Sequence, residues 1–339
     1  MEVKTENIIS FPNYLEYNAE GVHFINSLHK HIVEIKEGVK KRQPTYIVWD
    51  LSDTKHLDMK FLPIIGLLLN ESVDFNAKFS YTILIYLHEE GYLNPLSTSF
   101  NKVTNAIAQK FSDINRYVKE TPKYILFERA SDNHQYYDYS TKLIYESIKS
   151  DLSYEKNSAL IRVVSELLAN VKMHSHNPRG AVVTQYIKID NCTAELIISI
   201  GDLGPTFKEH IEKTTSYTFE DDKSAVLWAL KKEHTSRNDG MGGLGLYLLR
   251  KALSELNGEL SIISGNGYFN FKALDYYHKC DPNHINLRKN RAHTIEHKLQ
   301  GNLITCSIVI DISGKIKNYA RDLLNRNQKL IDIDLCDYS

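Results

Sequence analysis

Residues 165–176 read Ser165-Glu166-Leu167-Leu168-Ala169-Asn170-Val171-Lys172-Met173-His174-Ser175-His176, closing an amphipathic run that begins near Ser158. Apolar side chains fall at Leu160, Val163, Val164, Leu167, Leu168 and Val171, the spacing of one buried helical stripe. Glu166, Asn170 and His174 recur every four residues, so on that helix they line one edge within an arc of about 80°. A carboxylate takes a proton from water, and an amide oxygen is a hard neutral ligand of the kind Mg²⁺ accepts beside waters and phosphates. The same row also suits a solvated edge on an ordinary core helix. Its meaning depends on the rest of the chain.

Two later stretches change the weight. Ile197-Ile198-Ser199-Ile200-Gly201-Asp202-Leu203-Gly204-Pro205 is an apolar strand ending in an Asp-x-Gly turn. A carboxylate fixed at a strand end accepts a hydrogen bond from an exocyclic amine such as that of adenine. Gly240-Met241-Gly242-Gly243-Leu244-Gly245-Leu246 then runs into a helix with Leu246, Leu249, Leu253 and Leu256 on one face. Glycines before a helix start let backbone N–H groups approach phosphate oxygens, and the helix dipole favours the anion. A glycine cluster alone is most often a turn; the order of the three stretches is what carries the argument.

In that order they resemble the Bergerat-fold or GHKL ATPases, whose pattern is Glu-x-x-x-Asn-x-x-x-His, then Asp-x-Gly, then a glycine-rich lid ending Gly-Leu-Gly-Leu. Within that family the helix is most similar to the anti-sigma-factor serine kinase branch. The resemblance implies that Glu166 is the base, Asn170 the Mg²⁺ ligand and Asp202 the adenine acceptor, with Gly243 and Gly245 cradling phosphate. It extends the ATP site to His174, Gly204, Thr206, Gly242 and Leu244. Thr206 stands where many members have the second glycine of an Asp-x-Gly-x-Gly box, which would reshape the nucleotide pocket. Met173 stands where histidine kinases often carry a basic residue, and no helix pair with an acceptor histidine precedes the boxes, so an orthodox histidine kinase is not expected. The resemblance covers about residues 140–311.

The chain has 339 residues, enough for two domains of ordinary size. Lys+Arg 41 against Asp+Glu 42 leaves a formal charge of -1, which gives no signal for nucleic acid or an anionic membrane. Cys192, Cys280, Cys306 and Cys336 are far apart, which suits a reducing compartment. The longest apolar run, Phe61 to Leu69, is about half of what a membrane helix needs, and Met1 to Ser10 do not read as a signal peptide. A cytoplasmic protein without membrane contact is expected.

The N-terminal half alternates elements: a short strand at 7–12, a helix from Gly21 to Lys41, a buried strand Tyr46 to Ser52, a helix capped by Asp58 with Pro63 in its first turn, a strand at 79–87 and a helix at 100–112. This predicts an α/β layer with a mostly parallel sheet. Asp50-Leu51-Ser52 followed by Leu57-Asp58 resembles the STAS domain of anti-anti-sigma factors over about residues 1–115. Those factors carry a phosphorylatable serine after the aspartate matching Asp58, whereas Met59 and Lys60 stand here, so the resemblance implies a docking layer without a phosphoacceptor. An unrelated three-layer α/β domain fits the same pattern.

Residues 116–139 read as a connector with a strand at Tyr124 to Phe127, and a helix is expected over Ser140 to Ser150. Strands 181–190 and 194–201 flank Asn191 and predict a hairpin. The lid is expected over about 205–243, with a helix Ser224 to Lys232; Thr235, Ser236 and Arg237 stand where they can reach the β- or γ-phosphate, Arg237 by charge-assisted bonds. Asn257-Gly258 suits a left-handed helix cap, and Gly265-Asn266-Gly267 reads as a hairpin between strands 259–264 and 268–274. An insertion of about 275–300 holds His278, Cys280, His284, His293 and His297, the last two at the i, i+4 spacing that lets two imidazoles share Zn²⁺; Cys280-x-x-x-His284 matches no standard finger, and an exposed hairpin is the favoured reading of this stretch. A last strand, Asn302 to Asp311, should close a mixed sheet, and the tail 312–339 carries a basic helix, Lys315 to Asn327.

The expectation is an α/β protein: a STAS-like layer followed by a Bergerat α/β sandwich that binds ATP and Mg²⁺. It would hydrolyse ATP or pass the γ-phosphoryl to a protein serine or threonine, or, in the rival reading, act as an ATP-gated interaction switch with little turnover. A protein partner and a homodimer are implied by the resemblance.

Overall fold

The computed structural model describes residues 6–38, 46–69, 82–87, 91–93, 123–128, 161, 164–165, 167–168, 170–171, 179–188, 193–231, 234, 245–256, 258–272 and 292–311. In the N-terminal half these are β1 (Glu6–Ser10), β2 (Tyr14–Leu15), α1 (Ala19–Gly38), β3 (Tyr46–Asp50), β4 (His56–Leu57), a 3-10 turn Met59–Phe61 leading into α2 (62–69), β5 (Thr82–Leu87) and β6 (Gly91–Leu93). The sheet order is β1-β3-β5-β6, with β1, β3 and β5 parallel and β6 antiparallel, as the strand–helix alternation predicts. β2 and β4 form a separate parallel pair.

Local chemistry sets these boundaries. The Asn18 side chain accepts the Gly21 N–H at 2.9 Å at the start of α1, whose Val22, Ile25, Leu28 and Ile32 are buried. Asp58 Oδ1 accepts the Lys60 N–H at 3.0 Å, the expected cap, and every residue of α2 is buried. The helices expected at 100–112, Ser140 to Ser150 and Lys315 to Asn327 lie outside the described residues.

The second half contributes β7 (Lys123–Glu128), α3 (helical at each described position from 161 to 171), β8 (Arg179–Lys188), β9 (Thr193–Asp202), α4 (Phe207–Thr214), α5 (Asp222–Ala229), α6 (Gly245–Glu255), β10 (Glu259–Lys272) and β11 (Ala292–Asp311). Their sheet has the order β10-β11-β9-β8-β7, and β8 and β9 form the expected hairpin. The strand at Lys123–Glu128, read as part of a connector, is an edge strand of this sheet and pairs with β8.

A mixed sheet was expected here, and the described strands correct this: every neighbouring pair is antiparallel. The chain leaves β9 at Asp202, and α4 to α6 carry it back to the opposite end, so β10 runs parallel to β9. β11 then returns between them and pairs antiparallel with both.

The sheet is buried on both faces, with side chains alternating between them. One face carries Val182, Leu196, Ile198, Ile200, Ile262 and Ile304, packed with Leu167, Leu168 and Val171 of α3, Val226 of α5, and Leu249 and Leu253 of α6. The other carries Ala181, Val183, Ile263 and Leu303, packed with α1, Trp49, Phe61 and α2 in one continuous core. The N-terminal layer therefore covers the back of the larger sheet. Ser199 Oγ donates to the Lys60 carbonyl at 2.8 Å, and a Cβ on Gly201 would meet Ile64 Cδ1 at 2.7 Å. Full burial of side chains the size of Phe61 or Ile64 contributes roughly 1.5–3 kcal/mol each.

Two further expectations are corrected. Residues 259–272 are one strand rather than a hairpin: Gly265 takes a left-handed φ of 59°, and the pairing shifts on either side of it. The excess chain lies on β11, where Gly265 pairs with Leu299 but Gly267 with Thr294. β11 also begins at Ala292, inside the stretch read as an insertion. His293 and His297 therefore lie on a strand, where four residues span about 13 Å, too far for one zinc ion. His293 instead stacks near Tyr268 (4.6 Å between centroids) and His297 near His23 (3.7 Å). His278, Cys280 and His284 lie outside the described residues, and among the described residues no cluster fit for a metal occurs.

The first part of the expected lid is two capped helices. Thr206 and Glu209 form a capping box on α4, and Asp221 caps α5 through the Ser224 N–H at 2.8 Å. Buried Asp222 accepts the Thr206 hydroxyl at 3.0 Å and the Asn266 N–H at 3.2 Å, fastening both helices to β10. Asp222→Ala should lower the unfolding free energy by about 2 kcal/mol, because it takes the acceptor from a buried hydroxyl and a half-buried amide. A urea midpoint equal to the parent's would refute that anchoring role.

Candidate functional site

Three elements converge on the face of the sheet opposite the N-terminal layer. α3 packs through Ile161, Val164, Leu167, Leu168 and Val171 and leaves Asn170 half-buried on its edge. α6 packs through Leu249 and Leu253 and begins at half-buried Gly245. The third is the end of β9, where Asp202 has the same parity as the inward Ile198 and Ile200. Asp202 is 5 % exposed. Its Oδ1 accepts the Gly204 N–H at 2.8 Å, which closes a tight Asx turn.

Asn302 faces Asp202 across the β9–β11 ladder. Its Nδ2 lies 3.3 and 3.2 Å from the two carboxylate oxygens of Asp202 and 2.9 Å from the Pro205 carbonyl. Asn302 Oδ1 accepts the Ser264 hydroxyl at 2.7 Å, and Ser264 Oγ accepts the Phe207 N–H at 2.8 Å. The carboxylate is thus held by a buried chain reaching β10 and the first residue of α4. Neither Asn302 nor Ser264 was legible as a site residue; each is one polar residue in a strand of alternating character, and only the folded register brings them together.

Thr206 is fully buried, and its hydroxyl is engaged twice, donating to Asp222 and accepting the Glu209 N–H at 3.2 Å. Beside this cap, burial alone would raise Glu209, but the hydrogen bond from Lys298, the Thr206 amide and the Lys298 charge together outweigh it and hold its carboxyl below the usual range. His234 sits 4.7 Å from Trp228 between ring centroids, and burial, then the charge of Lys231, holds its imidazole below the ordinary value. Burial pushes the Cys306 thiol up to about 12, which makes it a packing residue. Gly258 ends α6 by donating to the Leu253 carbonyl at 2.7 Å; among the described glycines the left-handed region is taken by Gly265 and Gly301. Glu166, His174, Thr235, Ser236, Arg237, Gly242, Gly243 and Leu244 lie outside the described residues.

Residues 155–290 match the family described as histidine kinase-, DNA gyrase B-, and HSP90-like ATPase, a span of less than half the chain. The chain carries a GHKL ATPase domain in this segment. Such domains bind ATP, usually with Mg²⁺, and occur in kinases and ATPases. Around it, β7 and β11 of the same sheet extend beyond the matched span. A solved structure, the histidine kinase domain from Erythrobacter litoralis EL346 blue-light activated histidine kinase, is similar at 11% identity and a TM-score of 0.25, over 84% of this chain and 93% of that one. No curated protein matches the sequence. Among the described residues no helix is long and apolar enough to cross a membrane.

Proposed function

We propose that the GHKL domain binds ATP with Mg²⁺ on the face formed by α3, the end of β9 and the start of α6, and that it moves the γ-phosphoryl to water or to a protein serine or threonine. One observation carries this reading: Asp202, inside the matched segment, is a buried carboxylate that accepts from the Gly204 N–H and the Asn302 amide, and a carboxylate so placed receives an exocyclic amine. The half-buried amide of Asn170 suits a hard cation, and Mg²⁺ bound there would supply charge neutralisation across the phosphates. The residues of the chain do the rest. Asn170, with His174 four residues later in sequence, orients the phosphates, and Gly204 holds Asp202 toward the base. Thr206 shapes the pocket floor by fixing α4. The amides of Gly242, Gly243 and Leu244, which precede α6 in sequence, and of Gly245, its first residue, receive phosphate oxygens. Thr235, Ser236 and Arg237 meet the terminal phosphate, and Glu166 orients or deprotonates the attacking water or hydroxyl.

Titration of ATP into the full chain with Mg²⁺ or with a chelator tests the metal role. Asn170→Ala should lose the Mg²⁺-dependent part of the affinity, about tenfold or more, whereas equal Mg²⁺ dependence in both proteins would remove Asn170 from the site.

A second reading, an ATP-gated switch in the cytoplasm acting through a protein partner or as a homodimer, is favoured by the contact of α2 with Gly201, next in sequence to Asp202. In that reading the N-terminal layer, STAS-like or not, is the effector. Met59, which stands where the STAS resemblance would put a phosphoacceptor, is buried in the shared core and serves packing.

A further inference from the structure

We infer that Asn302 is the positioning residue that sets base specificity at this site, a role that rests on the ATP reading above: it holds Asp202 as an acceptor and so selects a purine with an exocyclic amine over one with an oxo group.

The proton arrangement of the buried network is fixed by chemistry. The Pro205 carbonyl can only accept, and so can an ionised carboxylate, so the atom of Asn302 that faces both must be its NH₂ group. Oδ1 must then face the Ser264 hydroxyl, whose oxygen is in turn oriented by the Phe207 N–H. Rotating the amide by half a turn would set three acceptors against one another and leave the hydroxyl without an acceptor. The amide is locked from both ends: one N–H goes to the Pro205 carbonyl, and the other, shared between the two oxygens of Asp202, holds that carboxylate as an acceptor. A 6-oxo purine would bring a carbonyl oxygen to that carboxylate, two acceptors without a proton between them. Sites built to pair one polar group reject the mispaired analogue by large factors.

The lock also reaches beyond the base site. Pro205 and Phe207 flank Thr206, the cap of α4, so the residue that orients Asp202 is bonded to both neighbours of that cap, to Pro205 directly and to Phe207 through Ser264. Base recognition and the seating of α4 share one set of hydrogen bonds.

The test is titration of ATP and of inosine triphosphate into the full chain with Mg²⁺, for the parent, Asn302→Asp and Ser264→Ala, each checked for the parent's circular dichroism. The parent should prefer ATP by about 100-fold or more. In Asn302→Asp two carboxyls face each other and share a proton, so one can donate to an oxo group. The preference should fall at least tenfold and fall further as the pH is lowered. Ser264→Ala unlocks the amide without adding charge and should reduce the preference about threefold to tenfold, and restoring the hydroxyl with Ser264→Thr should recover it. If Asn302→Asp does not fold, Ser264→Ala decides alone. A parent that binds neither nucleotide overturns the ATP reading and this role with it. A parent that prefers ATP, alongside folded variants that keep its ratio, overturns the role of Asn302 and leaves the ATP reading standing.

Discussion

Replacing Gly301 by alanine is expected to lower the unfolding free energy by about 3 kcal/mol, the sum of an overpacking cost and a left-handed backbone cost. Gly301 has φ 94°, and a Cβ there would lie 2.0 Å from the Asp202 carbonyl oxygen and 2.8 Å from Leu203 Cα. Both obstacles are backbone, so no rotamer change relieves them; β9 and β11 must part next to Asp202 and Asn302. Gly201→Ala is the informative comparison. Its added Cβ would meet mostly the tip of Ile64, a flexible side chain, and about 1–2 kcal/mol is expected. Urea unfolding should therefore rank parent, Gly201→Ala and Gly301→Ala in falling stability. A Gly301→Ala midpoint at or above that of Gly201→Ala would contradict the close approach of β11 to the Asp-x-Gly turn.

Replacing Glu166 by alanine is expected to cut turnover about 10²- to 10⁴-fold while ATP affinity is retained, the usual size of a lost general base. The buried stripe of α3 supports the assignment. Leu167, Leu168 and Val171 pack against the sheet and leave Asn170 on the edge, and Glu166 precedes Asn170 by one helical turn in sequence. Steady-state hydrolysis together with direct ATP titration separates the two effects. Loss of binding in step with turnover would make Glu166 a structural residue, and unchanged turnover would remove it from the chemistry.

Much of this was legible in the chain. The stripe of α3, the Leu249 and Leu253 face of α6 and the β8–β9 hairpin follow from local periodicity and turn chemistry, which tertiary structure here did not override. Asp58 was legible as a cap because its bond is made within two residues. What failed depended on distant partners. Gly265-Asn266-Gly267 has hairpin composition, yet those glycines serve a close approach: a Cβ on Gly265 would meet the Asp222 carboxylate, 43 positions earlier, at 2.3 Å. His293 and His297 were read at helical spacing in a stretch whose polarity hid a strand, because α1 covers that edge with His23 rather than with an apolar side chain. Asn302, the residue that holds Asp202, had no sequence signal at all, since its meaning lies in a register between β9 and β11 across 100 residues of chain.

The most direct measurement of the central claim is incubation of the full chain with γ-labelled ATP and Mg²⁺, with and without cell lysate, following label released to water and label on protein for the parent and Glu166→Ala. The GHKL reading predicts label leaving ATP with the parent and about 10²-fold less with Glu166→Ala, its destination separating hydrolysis from protein phosphorylation. Bound ATP whose label never moves would contradict the enzyme and leave the ATP-gated switch, and no binding of ATP at all would contradict the site itself.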